Sequence, residues 1–160
     1  MLLTSVEENL KTIPPGRILG VDYGKTRIGL SLSDPMQIMA SSLKTMANAK
    51  SATVVQDLAE LVKEKQIIAM VLGRPVHMTG ETSDMATQVE TFAELLSQQI
   101  DIPIFYWDER WTTVSAEKLM HELGYSPSRQ RHKIDQVAAS FLLQNFLDRL
   151  ASARHQHSIE

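Results

Sequence analysis

Apolar residues in this chain recur with one period over its first third and another over the rest. Arg17-Ile-Leu-Gly-Val-Asp22 is a short apolar run closed by an acid, and Pro14-Pro15-Gly16 before it would break any helix. The turn Tyr23-Gly-Lys-Thr26 leads into Arg27–Ser33, where Ile28, Leu30 and Leu32 alternate with small residues. That period of two predicts a half-buried strand paired back on the first, Ile18–Asp22. A third extended stretch is expected over 37–43, so the opening part reads as an antiparallel meander. Residues 1–16 read as a peripheral N-terminal extension.

The period then lengthens. Val54, Val55, Leu58, Leu61 and Val62 recur at helical spacing ahead of a short strand, Ile67–Leu72. A second helix carries Met85, Val89, Phe92 and Leu96 and leads to a strand over 102–106. Ala116, Leu119, Met120 and Leu123 mark a shorter helix, with Gly124 placed as its stop. The last helix is expected over 132–150, followed by a frayed polar tail over 151–160. Three antiparallel strands followed by alternating helices and strands predict an α/β fold over 17–150, a five-stranded mixed sheet flanked by helices. The first strand is central, and right-handed crossovers bring the carboxyl ends of the first and fifth strands to one sheet edge.

Composition narrows the class. The 160 residues, 43% of them apolar, suffice for one domain with a real core. No apolar run approaches the roughly 20 residues of a membrane span, and the start lacks the basic and apolar segments of a signal peptide. Absence of cysteine excludes disulfides and thiolate metal sites, which suits a cytoplasmic protein. A net charge of −3 argues against a protein that coats nucleic acid through phosphates alone. It is compatible with an acidic site whose bound cations reverse the local field.

That possibility gives meaning to four carboxylates spent at the ends of core elements. Asp22 closes the first strand, Asp108 and Glu109 follow the fifth, and Asp135 opens the last helix. Such carboxylates are the usual ligands of hard divalent cations. Each has a plain structural alternative. Asp22 could cap its turn, Asp108 or Glu109 could pair with Arg110 or a helix dipole, and Asp135 could serve its own helix N-terminus. Adjacent residues do not comfortably face one ion, so one of Asp108 and Glu109 belongs behind the other. Gly24 supplies a turn of positive φ, and Gly29 permits close approach of another backbone. Lys25 and Arg27 set cations beside the first acid. Arg74 and His77 sit in a glycine-bracketed loop, and Thr112 and Thr113 open a helix as caps or as polar contacts. Lys133 ends a basic segment that is either a solvated loop or a phosphate contact.

The segments Leu19-Gly-Val-Asp-Tyr-Gly-Lys-Thr-Arg-Ile-Gly-Leu-Ser-Leu-Ser-Asp34, Gly73-Arg-Pro with Met78-Thr-Gly80, Asp108-Glu-Arg-Trp-Thr-Thr113 and Ile134-Asp-Gln-Val-Ala-Ala139 occur in one order. Together they resemble the YqgF/RuvX family of Holliday-junction-resolvase-like proteins and pre-16S rRNA nucleases, over residues 17–150. The resemblance implies an RNase H-like fold and a metal-dependent nuclease acting in 5′-end maturation of pre-16S rRNA, or else on branched DNA. It implies Asp22, Asp108, Glu109 and Asp135 as catalytic acids and ligands of Mg²⁺ or Mn²⁺, two ions about 3.5–4 Å apart. Lys25, Arg27, Arg74, Arg110, Thr112, Thr113 and Lys133 are the expected substrate contacts. Nucleic acid and ribosomal precursor particles are the expected partners of a monomer or weak homodimer. Two departures stand out: Arg74 replaces a common leucine, and Tyr23 a frequent proline. The rival readings are a non-catalytic nucleic-acid-binding or assembly factor, and an actin-like nucleotide-binding domain, for which the chain is short.

Overall fold

The computed structural model describes residues 2–3, 12–74, 84–108, 121–122, 124 and 131–159, with helical backbone alone at 131–135 and 157–159. Strands β1 (Leu2–Leu3), β2 (Arg17–Tyr23), β3 (Arg27–Ser33) and β4 (Ala40–Ala47) precede helix α1 (Ser51–Glu64). They are followed by β5 (Ile67–Arg74), α2 (Asp84–Gln99), β6 (Ile104–Asp108) and α3 (Arg131–Ile159). The strands form one sheet in the order β1-β6-β5-β2-β3-β4. β2 pairs antiparallel with β3 and parallel with β5, and β5 pairs parallel with β6. The expected five-stranded mixed sheet with a central first strand is therefore present.

Three details differ from the sequence reading. Leu2 and Leu3, in the stretch expected to be peripheral, add a sixth strand by pairing parallel with Ile104 and Phe105. Two residues carry no readable period. β4 begins at Ala40 rather than 37, because Asp34 organises the intervening loop. Its carboxylate accepts the amides of Met36 at 3.0 Å, Ile38 at 2.8 Å and Met39 at 2.7 Å. Those bonds hold its pKa below the ordinary value, the Met39 amide contributing most and desolvation opposing. Gln37 is held in the same loop at φ 61°, its amide donating to the carbonyls of Pro14 and Gly16. Finally, α3 does not fray after Leu150 but runs to Ile159. Ala153 is buried, and Arg154 donates to the Ile13 carbonyl at 2.8 Å, so the polar sequence of this turn hides a tertiary anchor.

Both faces of the sheet are covered, which is why β2 and β5 read as nearly unbroken apolar runs. On one face Leu19, Val21, Ile28, Leu30, Met70, Leu72 and Ile104 pack against the buried stripes of α1 and α2. On the other, Ile18, Ala69, Val71 and Phe105 meet Leu142, Leu143, Phe146, Leu147 and Leu150 of α3. Phe146 lies against Phe105 and edge-on to Trp107. Among the described residues no helix is long and apolar enough to cross a membrane.

Candidate active site

The site is built where β2 ends under α3. Gly20 makes the close crossing: a Cβ there would lie 2.9 Å from the Leu143 Cβ and 3.2 Å from the Ala139 carbonyl oxygen. Ser31, on the neighbouring strand, donates its hydroxyl to that same carbonyl at 2.7 Å. A small residue and a buried hydrogen bond thus fix the helix over the strand. Gly20 lies directly beneath the helix.

α3 runs antiparallel to β2. It meets Gly20 near Ala139 and Leu143, and Ile13, which precedes the strand, near Arg154. Two residues along β2 from Gly20 towards its carboxyl end is Asp22, a step of about 6.6 Å. One helical turn back from Ala139, about 5.4 Å, is position 135. The crossing therefore carries the backbone of Asp135 to the level of Asp22.

Strand alternation supplies the surroundings of Asp22. With Gly20 facing α3, Asp22 faces it too, and it is half-buried. Its registered partner on β3 is Gly29. On β5 the register continues from Val21–Leu72 to set Gly73 beside it, and Gly73 is itself registered with Trp107 on β6. The row across this face at the sheet edge is thus Gly29, Asp22, Gly73, Trp107. Neither strand flanking the carboxylate places a side chain next to it. Arg27, at the start of β3, alternates onto this same face.

The same alternation separates the two adjacent acids. Ile104 and Tyr106 of β6 join the core beneath α1 and α2, whereas Phe105 and Trp107 face α3. Asp108, exposed and registered with Arg74, accordingly falls on the face opposite Asp22. Arg74 is on that face as well. It pairs with Glu90 of α2 and lies over the Tyr106 ring, 5.2 Å from its centroid. Burial, then the Glu90 carboxylate, raises the Tyr106 pKa above its ordinary value, with Arg74 opposing. The structure thus ties Arg74, expected to contact substrate, into an ion pair with α2.

Lys25 is exposed in the β2–β3 turn. Gly24 there does not adopt positive φ; a Cβ would instead collide with the Arg27 carbonyl oxygen at 2.6 Å. Asn48 clamps the turn, donating to the Gly24 carbonyl at 2.7 Å. Gly124 does adopt positive φ, 84°, as a helix stop requires. Glu109, Arg110, Thr112 and Thr113, His77 and most of the expected helix over 116–123 lie outside the described residues, as do the side chains of Lys133 and Asp135. Among the described residues no group of three or more histidine, cysteine, aspartate or glutamate side chains gathers into a metal cage. Sequence reasoning missed Gly20 and Gly73. Each follows a branched or long apolar residue inside a run, and a glycine in a buried strand is the available signal.

This architecture is the RNase H-like fold. T. thermophilus RuvC in complex with Holliday junction substrate matches it with a TM-score of 0.55 at 14% identity, over 86% of this chain and 97% of that one. The fowlpox virus resolvase complexed with Holliday junction DNA matches with a TM-score of 0.51 at 10% identity, over 84% and 98%. Residues 16–149 match the model of the family RuvX, described as Holliday junction resolvase, and the chain belongs to that family. A protein of Roseiflexus sp. (strain RS-1), named "Putative pre-16S rRNA nuclease", is 44% identical over 134 residues, 84% of this chain and 95% of its own length. One of the same name from Rhodobacter capsulatus is 39% identical over 142 residues, covering 89% of each chain.

Proposed function

We propose that the protein is a metal-dependent nuclease that hydrolyses phosphodiester bonds of pre-16S rRNA during ribosome biogenesis. One observation carries the reading: a half-buried aspartate near the end of the central strand, registered with Gly29 and next to Gly73, lies level with the start of the helix that bears Asp135. Family membership and the relatives' names supply the nucleic-acid substrate.

The donor chemistry fits Mg²⁺ or Mn²⁺. Every candidate ligand is a carboxylate, the preferred donor of hard cations, and the strand residues beside Asp22 are glycines, which bring no competing side chain from those two positions. Asp22 and Asp135 are the acids assigned to this face. Asp108 turns away, so Glu109 is assigned the remaining place. When bound, such ions polarise the phosphate and raise the acidity of water. The protein's own part is positioning. Arg27 on the same face and Lys25 in the adjoining turn neutralise phosphate charge and hold the backbone across the sheet edge. Hydrolysis then joins water to phosphorus and releases the 3′ oxygen, leaving a 5′ phosphate.

The test is Asp22→Asn, assayed with Mn²⁺ on a pre-16S rRNA fragment and on a four-way DNA junction. Loss of cleavage by at least about a hundredfold with retained fold is expected. Undiminished cleavage by the folded variant refutes the site. RNA binding without cleavage by either form would favour the assembly-factor reading, and cleavage confined to the junction would favour a resolvase.

A further inference from the structure

Around the end of β2, on the face away from Asp22, lies a cavity of 230 Å³ lined by Tyr23, Ser51, Thr87, Gln88, Thr91, Phe92 and Leu95. Its floor is apolar and aromatic. Phe92 is buried, and the Tyr23 ring packs on it with centroids 4.7 Å apart at 37°. The rim is polar, because Ser51, Thr87, Gln88 and Thr91 are all exposed, three of them on consecutive turns of α2. Aromatic floor and convergent hydroxyl and amide groups are the composition of a small-molecule pocket. Tyr23 directly follows Asp22, so the cavity and the Asp22 side chain lie on opposite faces of one strand end.

We propose that this cavity receives an unstacked base of single-stranded RNA, from a nucleotide close to the bond cleaved at Asp22. The proposal rests on the nuclease reading above. Sequence-tolerant and sequence-specific single-strand recognition both rely on aromatic side chains for base stacking and on polar side chains for base edges. Tyr23 provides the ring. Gln88, with a donor and an acceptor on one amide, reads the edge, and the Thr91 hydroxyl, which donates to the Thr87 carbonyl at 3.0 Å, still offers a lone pair as acceptor. A strand crossing the sheet edge can set its phosphate on the α3 face while one base turns down the α2 face.

The experiment uses the Asp22→Asn protein, which leaves RNA uncut, and 12-nucleotide single-stranded RNAs carrying 2-aminopurine at one position at a time. Quenching confined to one or two positions is expected, from stacking on Tyr23. Adding Tyr23→Leu, which keeps the apolar floor over Phe92, abolishes the quenching and weakens binding about tenfold, the low end for loss of one stacked base. Tyr23→Phe restores both. Gln88→Ala, at an exposed position, keeps the quenching but alters the ranking of A, C, G and U at the quenched position by about threefold or more; it decides the matter should Tyr23→Leu fail to fold. Quenching unchanged in Tyr23→Leu, or an unaltered ranking in Gln88→Ala, overturns the proposal. RNA cleavage by the wild-type protein without quenching at any position overturns the pocket and leaves the nuclease reading standing. Absence of both RNA binding and cleavage overturns the two together.

Discussion

Replacing Gly20 by alanine tests the joint on which the site depends. The added methyl would sit 2.3 Å from Ser31 Oγ, 2.9 Å from Leu143 Cβ and 3.2 Å from the Ala139 oxygen. The first two separations lie inside van der Waals contact, and neither neighbour is the free end of a flexible chain. Ser31 Oγ can move only by giving up its 2.7 Å bond to Ala139, and Leu143 Cβ moves only with the helix. Overpacking of this kind costs about 1–3 kcal/mol, and the lost buried hydrogen bond about 1 kcal/mol more. The expected destabilisation is about 2–4 kcal/mol, read as a lower urea midpoint with unchanged slope. For a domain of this size that lowers Tm by about 5–15 °C. Cleavage should suffer even where the variant is fully folded, because displacing α3 moves position 135 relative to Asp22. Misplacement by about 1 Å in a catalytic constellation costs on the order of a hundredfold. Gly20→Ala with Ser31→Ala removes the closest clash but not the one with Leu143, so about 1 kcal/mol should return. A single variant within about 0.5 kcal/mol of wild type, cleaving normally, would refute the argument that this crossing positions the site.

Two further outcomes follow from strand alternation and from the loop after β3. Asp108→Asn should leave Mn²⁺ affinity, measured by titration calorimetry, within about twofold of wild type, whereas Asp22→Asn should weaken it about tenfold or more, roughly 1.4 kcal/mol; comparable losses would place Asp108 on the metal-binding face after all. Asp34 has a folded pKa below its ordinary 3.8, so its contribution to stability is present above that value and fades as pH falls through the folded pKa. Asp34→Asn should therefore lower stability at pH 7 and flatten the loss of Tm below pH 4, and an unchanged acid limb would contradict the role of its three loop amides.

Much of the fold was legible because burial imposes period on sequence. Ile28, Leu30 and Leu32 announced β3, and Val54, Val55, Leu58 and Leu61 announced α1, since each set covers one face of an element. What failed were features with no period of their own. The Leu2–Leu3 strand is shorter than one repeat, the Asp34 loop postpones β4 through side-chain bonds to amides, and the final turns of α3 are polar except where Ala153 is buried against β2's approach. Asp22 was readable as a candidate because an acid closing an apolar run is costly without a purpose. Its neighbours were not, because Gly73 comes from a strand some fifty residues on and becomes adjacent only through parallel register.

The sequence by itself thus indicated most of the elements, the central place of β2 and a set of candidate carboxylates. Those follow from local period and from the chemistry of individual side chains. Tertiary structure alone decided which faces they occupy. Parity along β6 turns Asp108 away from Asp22, the crossing at Gly20 brings the start of α3 level with Asp22, and register frames that acid between two glycines. Facing and adjacency depend on pairing between distant segments, and no spacing within one segment encodes them.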